Sequence, residues 1–164
     1  MMQWRESVHK QRGFSLIELL VSVVILGLLA SIAMPVVELA QKRERETQLR
    51  IALRELRRGI DAYKDATQQK RIAVADGDSG YPPSLDALVA GVPDLASTNG
   101  AMLYFLRRVP RDPFNTNSTV SAAASWATRS FASPASAPRP GNDVYDVYSQ
   151  SEDIGLNGVA YKEW

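Results

Sequence analysis

The sequence predicts an α+β chain, with a long N-terminal transmembrane and spine α-helix packed on a small antiparallel β-sheet head. Three observations predict it. Phe14–Val37 is almost wholly apolar, with Glu18 its one charge and Ser15, Ser22 and Ser31 its other polar side chains. Leu49, Leu53, Leu56, Ile60 and Tyr63 then recur at intervals of 4, 3, 4 and 3, which is one stripe on a helix. Near the end, Asp143–Ser149 (DVYDVYS) alternates polar with apolar or aromatic residues, the period of a half-buried strand.

The averages conceal this division. The chain has 164 residues, 45% of them hydrophobic, 23% charged, and a formal net charge of +1. Its mean hydropathy of −0.18 is that of an ordinary soluble domain. Without a basic excess, no nucleic-acid partner is expected. There is no Cys, so disulfides, thiolate nucleophiles and thiolate-ligated zinc are excluded. His9 is the sole histidine, which leaves no material for a Ser–His–Asp triad or a multi-His metal site. Asp143, Asp146 and Asp153 are the remaining candidates for carboxylate chemistry. Neither a metal-binding His nor a glycine-rich cradle accompanies them, and no enzyme is expected.

Taken in order, residues 1–13 form a basic leader in which Arg5, Lys10 and Arg12 outnumber Glu6. Residues 14–37 match the ~20 apolar residues that a helix needs to cross a bilayer, and the leader's charge orients it toward the cytoplasm. Ala30-Ser31-Ile32-Ala33 loosely resembles a secretory cleavage site, yet the apolar run continues through Met34-Pro35-Val36-Val37. A carboxylate at or inside the membrane edge costs a few kcal/mol and usually has a partner or a function. Glu18 therefore reads either as such a group or as a residue of the headgroup layer.

Arg12-Gly13-Phe14-Ser15-Leu16-Ile17-Glu18-Leu19-Leu20 resembles the class III signal of type IV pilins and type II secretion pseudopilins. There a basic leader ends in Gly, followed by Phe, a Glu four residues later and a long apolar helix. The resemblance implies cleavage between Gly13 and Phe14 by a prepilin peptidase, methylation of the new amino group on Phe14, and an assembly role for Glu18. In the family that carboxylate pairs with the N-terminus of a neighbouring subunit. The resemblance also implies a single-pass protein of the bacterial inner membrane with its head in the periplasm. Its expected partners are membrane lipid, copies of itself, other pseudopilins and the inner-membrane assembly platform. Related filaments melt this helix between a Gly and a Pro, which here are Gly27 and Pro35.

Beyond the membrane, Gln41–Glu46 is a mixed-charge stretch expected to be solvated. The stripe then carries an amphipathic continuation over residues 38–75, up to the turn-rich Ala75–Gly80. In the head, residues 76–164, Ser84 reads as the N-cap of a helix with Leu85 and Leu88 as apolar contacts. Arg107, Arg108 and Arg111 read as solvated or paired with acids, and residues 115–142, rich in Ala, Ser, Thr and Pro, as a flexible loop to which Val120, Trp126 and Phe131 could lend some strand or packing. Tyr104–Phe114 and Asp143–Gly155 resemble segments of the major pseudopilin of type II secretion. By that likeness Asp153 is a carboxylate ligand to calcium, Gln150 a main-chain ligand, and Ser149 lies beside them. The same acidic turn also reads as an exposed loop without metal. The missing disulfide and these two segments favour the major pseudopilin, with a minor type IV pilin as the alternative.

Overall fold

The computed structural model describes residues 13–164, without side chains at 32–34. The leader expected over residues 1–13 lies outside the described residues apart from Gly13. Helix α1 spans Leu16–Gln68, but the chain divides after Gln41 into two units, which are described separately.

In the first unit the helix begins after Ser15, whose carbonyl accepts the Leu19 N–H at 3.1 Å, as an N-cap carbonyl does. Every described side chain from Phe14 to Gln41 is exposed, Leu16 at 78%. An apolar cylinder of this length buries nothing within its own unit. Pro35 lies inside the helix, where it removes one backbone hydrogen bond.

In the second unit the same helix supplies the core. Leu49, Leu53, Leu56, Ile60 and Tyr63 are all buried, as the stripe predicts, together with Ala52 and Ala66. Against them pack Leu85, Leu88, Leu106, Trp126, Val144, Val147 and Tyr161. A fully buried side chain of this size contributes about 1.5–3 kcal/mol. Gly59 permits the closest approach, because a Cβ there would lie 3.0 Å from Leu106 Cγ.

The amphipathic helix ends at Gln68, short of Ala75. The Arg71 N–H donates to Ala66 O and the Lys70 N–H to Thr67 O, each at 2.9 Å. Lys70 takes a φ of 58°. These two bonds and one left-handed residue make a Schellman cap. No glycine marks it, which is why the turn signal was sought later, at Gly77–Gly80. Beyond the cap, Arg71 binds Asp94 through two hydrogen bonds of 3.2 and 2.5 Å and holds that carboxyl below its usual range.

Helix α2, Ala87–Ala90, has Asp86 at its N-cap, without a side-chain capping bond, rather than the expected Ser84. The Ser84 hydroxyl accepts the Ala87 N–H at 3.3 Å, and Leu85 and Leu88 are buried. The strands form two antiparallel ladders. Strand β1 (Val92–Pro93) pairs with β2 (Met102–Leu103), and β3 (Trp126–Arg129) pairs with β4 (Asp146–Ser149). Val147 and Ser149 of β4 are buried while Asp146 and Tyr148 are half-buried; burial alternates as on a half-buried strand, but over four residues rather than seven and with the polar Ser149 inside and the aromatic Tyr148 half-exposed.

Strand β3 decides between the two readings of residues 115–142, in favour of Trp126 supplying strand and packing. This stretch is not a flexible loop throughout, because a 3-10 turn at Ala123–Ser125 leads into Trp126–Arg129. Trp126 is buried and its Nε1–H donates to Pro110 O at 2.8 Å. A buried indole with its polar atom satisfied is a core residue, and it overrides the low-complexity composition around it.

Candidate functional site: the N-terminal helix and its tie to the C-terminal segment

The first part of the site is the start of α1. Gly13 and Phe14 are exposed, and a Cβ at Gly13 would meet no described atom within 4 Å. Glu18 lies in the first helical turn, where a carboxylate is favoured by the unpaired N–H groups and the helix dipole. With Ser15 three residues before it, Glu18 also completes an S-x-x-E capping pattern. Its side chain is exposed and makes no ion pair among the described residues. The main chain of Glu18 accepts the Ser22 hydroxyl at 2.7 Å.

The second part lies where α1 meets the C-terminal segment, within the second unit. Glu46 was expected to be solvated; it is 6% exposed. It sits one turn before Leu49 and so falls on the core stripe. Its Oε1 accepts the Leu156 N–H at 2.6 Å and the Tyr161 hydroxyl at 3.0 Å. Burial, then the Glu46 hydrogen bond and charge, push the Tyr161 phenol up to about 12. Lys42 donates to Ile154 O at 2.8 Å. Arg57 donates to Trp164 O at 2.7 Å and to Asp146 Oδ1 at 2.8 Å. Arg50 lies over the Trp164 ring, 4.5 Å from its centroid. Four long side chains of α1 thus fasten residues 146–164 to the helix.

The residues expected near calcium have other tasks. Ser149 is fully buried, and its hydroxyl donates to Asp112 Oδ2 at 2.7 Å. Asp112 is 1% exposed and also accepts the Phe114 N–H at 2.9 Å. The Gln150 side chain donates to Ala124 O and Trp126 O. Only Asp153 keeps an exposed carboxylate, and it accepts the Ser151 hydroxyl at 3.3 Å. Among the described residues no three acidic or histidine side chains stand close enough to share an ion. Calcium takes six to eight oxygens, several of them carboxylate. Of the expected set, Asp153 keeps an exposed carboxylate, and the role expected of Gln150 falls on its main-chain carbonyl rather than on the side chain described above.

The three acids considered for catalysis are likewise apart in function. Asp143 accepts the Phe131 N–H at 2.8 Å, Asp146 pairs with Arg57 and Arg129, and Asp153 holds Ser151. In the basic cluster, Arg111 turns inward to the carbonyls of Val120 and Asn117, while Arg107 and Arg108 are exposed.

An exposed apolar helix, headed by a carboxylate in its first turn and continued by a self-contained head, defines a subunit of the prepilin class. Residues 8–34 match the model of the prokaryotic N-terminal methylation motif. Over 116 residues the chain is 30% identical to the type II secretion system core protein G of Klebsiella pneumoniae, covering 67% of this chain and 74% of that protein. No solved structure matches. The chain belongs to the type II secretion system core protein G family.

Proposed function

We propose that this chain is a structural, non-enzymatic subunit of a type II secretion pseudopilus. The peptidase that removes the leader cuts between Gly13 and Phe14, and Phe14 is then methylated. Residues 14–37 hold the subunit in the bacterial inner membrane with the head in the periplasm. Assembly with copies of itself, with other pseudopilins and on the inner-membrane platform draws the helix out of lipid and into a filament that drives export of folded proteins.

One observation carries this reading: the exposed apolar surface of the described side chains of Phe14–Val37, interrupted by one carboxylate, Glu18. Contiguous apolar surface of this extent requires lipid or protein around it. A buried charge without a partner is costly, so a cationic amino terminus one subunit away turns Glu18 into a register mark. Gly13 supports the processing step. It stands directly before Phe14 at the end of the basic stretch, where the methylation motif matched over residues 8–34 lies. Glu18→Ala should leave leader removal intact and weaken assembly, measured as the sedimentable fraction of the chain in cells. Efficient filament formation by that variant would contradict the role given to Glu18.

A further inference from the structure

Three apolar side chains of the C-terminal segment lie outside the core of the head. Ile154 is 58% exposed, Leu156 42% and Val159 37%, although the loop that carries them is firmly closed. The Gly155 N–H donates to Val159 O at 2.8 Å, and the Gly158 N–H donates to Gly155 O at 2.9 Å. Ile154 and Ala160 face each other across an isolated antiparallel bridge. Leu156 takes the first corner of the turn so formed. Gly158 ends the turn with a φ of 81°, which glycine adopts without steric cost. Gly155 is buried, and a Cβ there would lie 2.6 Å from the Trp164 ring. Apolar side chains on a loop already fixed in this way lose little further freedom when something covers them.

The attachment of the loop indicates what covers it. It is tied to α1 at two points, where Lys42 donates to Ile154 O and Glu46 accepts the Leu156 N–H. Lys42 stands five residues beyond Val37, the last residue of the apolar run. A fully extended chain spans at most ~3.6 Å per residue, so Lys42 lies within about 18 Å of that end. The loop is therefore tethered within reach of the lipid boundary, where the headgroup layer alone is on the order of 5–8 Å deep. Between the two ties α1 carries Arg43, Glu44 and Arg45, and Glu152 and Asp153 lead into the loop, all of them exposed. Charges of both signs suit the polar headgroup layer and give no preference for anionic lipid. The contact then rests on the apolar side chains, as at other interfacial segments.

We propose that the Ile154–Val159 loop rests in the membrane interface while the subunit is unassembled, with Ile154, Leu156 and Val159 against lipid. This rests on the reading above that residues 14–37 hold the subunit in the membrane. The loop gives the head a second hold on the bilayer, and that hold is released when the helix leaves lipid.

The chain contains no cysteine, so a single introduced thiol carries a single fluorophore. Full-length Leu156→Cys, Val159→Cys, Phe131→Cys and Leu29→Cys are labelled with a polarity-sensitive dye. Each is reconstituted at low protein density into vesicles of phosphatidylethanolamine and phosphatidylglycerol, with and without lipid bearing a nitroxide near the top of its acyl chain. The nitroxide should dim emission several-fold at positions 156 and 159, as at position 29 in the membrane segment, and leave position 131 unchanged. Adding Leu156→Gln, which keeps the N–H bond to Glu46, should restore emission at position 159. Quenching at 29 with none at 156 or 159 overturns the loop contact and leaves the membrane segment intact. Equal quenching at 131 overturns it too, because the head would then lie on lipid without using this loop. Emission at 156 that is blue-shifted, untouched by the nitroxide and dependent on protein density means that a second copy covers the loop, and also overturns it. If position 29 is not quenched, both readings fail.

Discussion

Glu46 is a buried carboxylate that ties the helix to the C-terminal segment. Replacing it with Leu leaves the buried Tyr161 hydroxyl without an acceptor, at about 1–3 kcal/mol, and removes the acceptor of the Leu156 N–H. Glu46→Gln keeps a carbonyl oxygen and should cost less, so melting of the full-length protein in detergent should rank wild type, Gln, then Leu. Similar costs from both variants would argue against the hydrogen bonds as the cause. The partner Tyr161 makes the fold sensitive to alkali. Its pKa is raised from the ordinary ~10 to about 12, which favours the neutral form in the folded state. That stability is fully present below about pH 10 and is lost as pH rises from there toward 12. The midpoint should fall over this range, and Tyr161→Phe should flatten the fall. If Asp153 and the Gln150 carbonyl hold calcium, the ion should raise the midpoint and chelators lower it, as a ligand bound to the native state does; an unchanged midpoint removes the site. At this scale the sequence is only partly legible. Ser149, Gln150 and Asp153 lie near the tied C-terminal segment, but Ser149 and Gln150 serve hydrogen bonds within the protein. Glu46 was readable as one step of three back from Leu49 along the stripe. A charge on a core face is easily assigned to solvent, because its buried partners lie more than a hundred residues away.

The elements were legible where periodicity is long. The five-residue stripe of α1 places every one of its members in the core. The end of α1 was not legible, because it depends on Lys70 entering a conformation that glycine usually adopts. Lys70→Gly should relieve that strain and stabilise the head by about 0.5–1 kcal/mol, read as a higher melting temperature. No gain, or a loss, would mean that the Lys70 side chain contributes contacts outweighing the backbone cost. Strand β3 was hidden for a different reason. Trp126 is one large residue among small ones, and its burial follows from the distant Pro110 carbonyl and the β4 register rather than from its neighbours in sequence. In α1 itself, the two poorest helix formers, Gly27 and Pro35, bracket a segment that lacks one backbone bond at the proline. We expect this segment to lose its helix on assembly. A filament reconstruction with continuous helix from Gly27 to Pro35 would contradict that.

For the whole molecule, the opening composition is now separable into parts with different solvents. The apolar residues of 14–39 contribute to the 45% hydrophobic fraction but not to any core within their own unit. The head folds around the second half of one helix and two short ladders. Its stability therefore depends on a few side-chain ties from α1 to residues 146–164. This arrangement suits a subunit whose first helix segment changes surroundings while its head keeps one structure. The separation of the leader from the assembly helix rests on a single proposed covalent event at one peptide bond. Mass spectrometry of the chain isolated from membranes tests that event directly. The account predicts a mature protein beginning at Phe14 and carrying one methyl group on its amino nitrogen. A chain beginning at Met1, or cut near Ala33, would contradict it.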